Sequence, residues 1–222
     1  MSSDFIKEII VGGSDLLVKM KLTTPYLNGL DEYLSPALGI AWESGKLLLN
    51  LANSKNPLKQ RFIEFIGFIN KNKESIEQKL DDQNVISGLI TLYEFTMKQR
   101  FEEKRLRAFG IFLGFINSDD KDNFELERMY NTLNLMNMKD IQFLAKYQKN
   151  IIKSDFEGVF GVLVNSLQFT IDCVTDVKIT VPIDKIHNLS SLGMFLMDVP
   201  HWDSNRYILT DFGRDFIRWI NN

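Results

Sequence analysis

From Val85 to Ile116 the chain repeats apolar residues at helical spacing: Val85, Ile86, Leu89, Ile90, Leu92, Tyr93, Phe95 and Met97, then Phe101, Leu106 and Phe109. A stripe of this period commits the stretch to helices that bury one face, and Asp81 or Asp82 is placed to cap its start. Unbroken, it would be a helix of about 35 residues, roughly three times the mean for a globular domain, so a bend or break is expected between Gln99 and Glu103.

The flanking segments are also helical. Asn56-Pro57 is a start signal, with Leu58, Phe62, Phe65, Ile66 and Ile69 on the stripe that follows and the polar run Asn70 to Lys73 at its end. Upstream, Ser3 or Asp4 caps a helix bearing Phe5, Ile6, Ile9 and Ile10, and Gly12-Gly13 ends it. A second segment runs through Leu16, Leu17 and Met20, and Pro36 to Asn53 is dense enough in apolar residues for a helix buried on much of its circumference. Downstream, the acidic loop Asp119 to Asn123 leads into helices over Phe124 to Leu135 and Lys139 to Tyr147. Met129, Met136 and Met138 read as core filler. The expected fold class is mainly α, with a multi-helix body from Met1 to about Lys153.

Residues 154–222 change character. Phe156 to Val174 fits a helix or strands equally well, and Ile183 to Phe195 carries a helical stripe of Ile183, Ile186, Leu189, Leu192 and Met194. Met197 to Pro200 and Tyr207 to Thr210 flank the turn formers His201-Trp202-Asp203-Ser204-Asn205, a hairpin pattern. Thr210 or Asp211 then caps a last helix with Phe212, Phe216, Ile217 and Ile220. Gly193 lets the chain leave its helix, and Tyr207 and Leu209 share one strand face. Helix, hairpin and a helix opening with Tyr-x-Leu-Thr-x-x-Gly is the order that ends a winged helix, so residues 154–222 are expected to form a winged-helix-like unit with a short β-hairpin.

Asn188-Leu189-Ser190-Ser191-Leu192-Gly193, then Tyr207-Ile208-Leu209-Thr210-Asp211-Phe212-Gly213-Arg214-Asp215-Phe216, with the helix pair around Leu133 to Leu144, resemble the bacterial abortive-infection alpha (Abi-alpha) type family. The resemblance covers roughly the C-terminal half and rests on structural rather than catalytic positions. It departs from the pattern at Met194-Phe195, where Leu-Ile is usual. It implies a place in phage defence without supplying a mechanism.

Reactive chemistry is scarce. The chain has 17 Phe but only 2 His and 1 Cys. Cys173 cannot form an internal disulfide, and no basic-apolar leader precedes the first helical pattern, so the expected compartment is the reducing cytoplasm. The uncharged apolar stretches Gly158 to Ile171 and Ala108 to Ser118 fall short of the roughly 20 apolar residues of a membrane helix. His187, His201 and Cys173 are too few for a structural zinc site. Counted from Asp120, the EF-hand glycine and glutamate positions fall on Glu125 and Asn131, which excludes a calcium loop of that type. There is no Walker loop, no dinucleotide fingerprint and no nucleophile elbow, and no spacing marks a catalytic carboxylate pair. The expectation is a non-enzymatic protein with no cofactor.

A net charge of -3 gives no general attraction to polyanions. From Lys178 to Asn222 the cations Lys178, Lys185, Arg206, Arg214 and Arg218 are balanced by Asp184, Asp198, Asp203, Asp211 and Asp215. The candidate contacts are local. Arg100, Lys104 and Arg107 share a helical face, although Glu94 with Lys98 and Glu103 with Arg107 are spaced to pair along a solvated helix. Lys185 and His187 lie on the would-be recognition helix, Arg206 borders the wing, and His201 and Trp202 occupy its tip, where Trp202 favours docking on the protein's own body over a partner surface. The expected function is a cytosolic interaction protein with a protein partner, in phage defence by resemblance. The alternative is a winged-helix transcriptional regulator, with duplex DNA the less favoured partner. The surplus of aromatic residues is compatible with a homodimer.

Overall fold

A computed structural model of the chain describes residues 57–156, 162–165, 168–172, 178–197 and 207–221. The helices expected before Asn56, and the wing tip with His201, Trp202 and Arg206, lie outside the described residues. The fold is mainly helical. Its helices are α1 (Pro57–Lys71), α2 (Lys73–Glu77), α3 (Gln83–Lys98), α4 (Glu102–Asn117), α5 (Asn123–Leu135), α6 (Met138–Phe156), α7 (Ile183–Ser191) and α8 (Asp211–Trp219). Strands β1 (Val162–Asn165), β2 (Gln168–Asp172) and β3 (Lys178–Pro182) form an antiparallel sheet in that order, and β4 (Phe195–Met197) pairs with β5 (Tyr207–Leu209).

The chain divides into two compact units, one of residues 1–100 with 121–123, the other of residues 101–120 with 124–222. Helices α4 and α6 therefore share a unit with the C-terminal elements, whereas the sequence changes character only near Lys153.

In the first unit α1 packs against α3, burying Phe65, Ile66 and Ile69 with Val85, Ile86, Leu89 and Leu92. Phe65 meets Tyr93 edge to face at 5.3 Å. Asp82 caps α3 by accepting from the Asn84 N–H at 2.9 Å, as its position in the sequence implies. The short helix α2 was not anticipated. It fills the polar run after Lys71 and buries Ile76.

The expected break is present: α3 ends at Lys98, α4 begins at Glu102, and Gln99 and Phe101 have extended backbone. In consequence Arg100 lies outside both helices, and the single helical face expected for Arg100, Lys104 and Arg107 does not exist. Within the stretch that suited helix or strand, Val162–Asn165 and Gln168–Asp172 pair as antiparallel strands rather than forming a helix.

In the second unit α8 packs on α4 and α6 with Phe212, Phe216, Ile217 and Ile220 buried. Gly114 of α4 is the point of closest approach, since a Cβ there would fall 2.1 Å from the Trp219 ring. The helix expected to run to Phe195 ends at Ser191, and Phe195 opens β4 instead. Gly193 causes this: it takes φ of 79°, its N–H donates to Ser190 O, and the Met194 N–H donates to Leu189 O. This is a Schellman ending, closed by buried Leu189 and Met194.

Candidate functional site

The residues that carry the family resemblance form one knot at the base of the β4–β5 hairpin. Thr210 donates its N–H to Met194 O at 3.0 Å and its hydroxyl to Gly193 O at 2.7 Å, and its Oγ1 accepts the Gly213 N–H at 2.8 Å. One threonine thus ties the turn after α7, the end of the hairpin and the start of α8. Gly213 is needed because a Cβ there would lie 2.3 Å from Met194 O. Tyr207 and Leu209 point into the core as expected, and burial raises the Tyr207 phenol above its ordinary value. Arg128 of α5 covers this corner, its guanidinium 3.8 Å from the Phe212 ring centre. The Gly193 and Thr-x-x-Gly positions are architecture.

The opposite face of the hairpin is apolar and exposed. Leu196 stands directly across from Ile208, with exposures of 57% and 40%; Met197 is also exposed but lies on the Tyr207 side of the ladder. Sequence alternation alone places Leu196 and Ile208 on this face once Tyr207 and Leu209 are assigned inward. The helical stripe expected to run to Phe195, with the first extended run starting only at Met197, hides this pairing in the sequence.

The candidate cations fare differently from expectation. Lys104 is 5% exposed, and its Nζ donates to Asn134 O at the end of α5, 2.6 Å away. Burial lowers its pKa from the ordinary lysine value. Arg107 pairs with Glu103, as its spacing implies, and also donates to Ile220 O at 3.1 Å and to Asn221 Oδ1. Gln148 of α6 donates to Ile217 O and Arg218 O at 2.9 Å each, so α4 and α6 together satisfy the last carbonyls of α8. The solvated helix face expected here is, at Lys104 and the neighbouring Arg105, a buried one.

Lys185 is held too. Its Nζ lies 2.8 Å from Asp140 Oδ1 and 5.1 Å from the Phe143 ring centre. Asp140, in the first turn of α6 and 3% exposed, also accepts from Asn188 Nδ2 at 2.7 Å and from Asn137 Nδ2, while its N–H donates to Asn137 Oδ1. This clamp fixes α7 on α6 and satisfies a buried carboxylate with a cation and amide donors. His187 is exposed on α7, its ring 6.5 Å from that of Tyr207. Arg100 is exposed in the α3–α4 connection. The expected Glu94–Lys98 pair forms at 3.0 Å.

Among the described residues no group of His, Cys, Asp or Glu is arranged to hold a metal ion, and no helix is long and apolar enough to cross a membrane. No protein-family model matches the chain, and neither do curated proteins or solved structures.

Proposed function

We propose that this chain is a non-enzymatic interaction protein of bacterial phage defence, in which α7, the β4–β5 hairpin and α8 act as a winged-helix-like platform for a protein partner. The defence setting rests on the resemblance of the Asn188–Gly193 and Tyr207–Phe216 segments. The contact mode rests on one observation: Lys104, Arg107 and Lys185 are turned to partners inside their own unit, while Leu196 and Ile208 face outward on the hairpin. A duplex reader needs several free cations aimed at phosphates, whereas a protein contact needs an apolar centre.

The test is phage plating on a host expressing the chain. Wild type is expected to lower plating of at least one phage in a broad panel by about tenfold or more. Leu196→Asp with Ile208→Asp is expected to abolish the effect without lowering the melting temperature. Unchanged plating across the panel overturns the defence reading. Salt-dependent affinity of the purified protein for duplex DNA would overturn the protein-contact reading in favour of a regulator.

A further inference from the structure

Helix α8 buries Phe212, Phe216, Ile217 and Ile220, and leaves Asp211, Arg214, Asp215 and Arg218 along the opposite side. These charged positions recur at helical spacing and form a single stripe. Arg214 Nη1 pairs with Asp211 and Arg218 Nη1 lies 4.0 Å from Asp215, each pair between neighbours on the same helix. The order along the stripe is minus, plus, minus, plus.

That order has a symmetry. When a second α8 is laid antiparallel across a two-fold axis at the midpoint of the stripe, Asp211 comes opposite Arg218 and Arg214 comes opposite Asp215. Every charge then meets its opposite. A parallel copy in the same register sets like against like instead. A two-fold contact must be self-complementary, and this stripe meets that requirement through its charge order alone. Asp211 is almost wholly exposed, with 95% of its side chain accessible, and Arg218 is about half exposed, so both ends of the stripe are open to a partner. Asp215 in the middle is already partly desolvated and its pKa is raised by burial, against the opposing pull of Arg218 and Arg214. A facing Arg214 from a second copy would add a counter-charge to those that Arg218 and Arg214 of its own helix already provide.

We infer that a second copy of this chain docks on the outward face of α8, antiparallel about a two-fold axis, with register set by Asp211–Arg218 and Arg214–Asp215 pairs between copies. This goes beyond the hairpin reading and does not depend on it, because it uses a different face. Pairing of this kind sets partner choice and orientation more than affinity, so the dimer is salt-sensitive.

The experiment is sedimentation equilibrium of the full chain from about 1 µM to about 500 µM, a range that brackets weak association. Wild type is expected to dimerise with concentration and to dissociate as sodium chloride is raised. Asp211→Lys with Asp215→Lys makes the stripe wholly positive, and Arg214→Glu with Arg218→Glu makes it wholly negative. Each double variant alone is expected to associate at least tenfold more weakly than wild type, and an equimolar mixture is expected to recover a heterodimer. Circular dichroism checks that both remain folded. If either reversal unfolds the chain, Asp211→Asn with Asp215→Asn is the substitute, with weakened association expected. A wild type that stays monomeric throughout the range overturns the inference. So do variants that dimerise as wild type does, or a mixture that fails to pair.

Discussion

Lys104 and Arg107 of α4, and Lys185 of α7, turn inward to carbonyls or a buried carboxylate, whereas Asp211, Arg214, Asp215 and Arg218 of α8 keep to one outward stripe and pair along their own helix. Both sets belong to the same compact unit. The inward charges hold helix ends in place, since the last carbonyls of a helix have no partners of their own. The outward charges contribute little to folding, because exposed pairs in high dielectric are weak. What distinguishes the sets is where each side chain ends, which residue type and spacing do not reveal.

The contrast is sharpest at Asp140. Asp140→Ala leaves the half-buried Lys185 without its counter-charge and Asn188 without its acceptor, and is expected to cost about 3 kcal/mol in urea unfolding, the low end for breaking a buried pair. A loss below about 1 kcal/mol would mean that α7 is held by packing alone. Arg107→Met comes next. It keeps much of the stem volume but frees Ile220 O and Asn221, with an expected loss of about 2 to 3 kcal/mol, typical of hydrogen bonds from a charged donor.

Lys104→Met is expected to change stability by only about 1 kcal/mol, because losing the bond to Asn134 O is offset by relief of a desolvated charge. Its signature lies in pH. With the Lys104 pKa lowered in the folded state, the folded chain releases this proton more readily than the unfolded chain. Stability should therefore rise as pH climbs from the lowered value towards the ordinary lysine value. The urea midpoint of wild type should gain on that of Lys104→Met as pH approaches the ordinary lysine value from below. An equal pH dependence in the two proteins would show that burial of the ammonium carries no penalty. The smallest effect is expected on α8. Arg214→Ala or Arg218→Ala should lower folding stability by less than about 0.5 kcal/mol each, and a larger loss would place that arginine with the inward set.

Local chemistry was legible in the sequence. The caps at Asp82 and Thr210 act over two or three residues, the break after Lys98 follows from a stripe too long for one helix, and Gly193 marks a turn that only its φ allows. The end of α7 was misplaced because Met194 and Phe195 continue the apolar pattern after the backbone has turned. Strands β1 and β2 were ambiguous since Val162, Val164, Phe169 and Ile171 suit a sheet and a buried helix alike. The destinations of Lys104 and Arg107 were not legible. Their partners Asn134 and Ile220 lie far along the chain, and spacing on one helix can show only the Glu103 neighbour.

The Thr210 knot bears on how the hairpin tolerates change. Gly193, Met194, Thr210 and Gly213 close the base of the β4–β5 pair, so the bonds that tie the turn after α7 to the start of α8 are made by residues outside 198–206. Lengthening a closed loop is cheap, about 0.6 kcal/mol for each doubling. Exchange or lengthening of residues 198–206 is therefore expected to leave the bonds between the turn after α7 and the start of α8 in place.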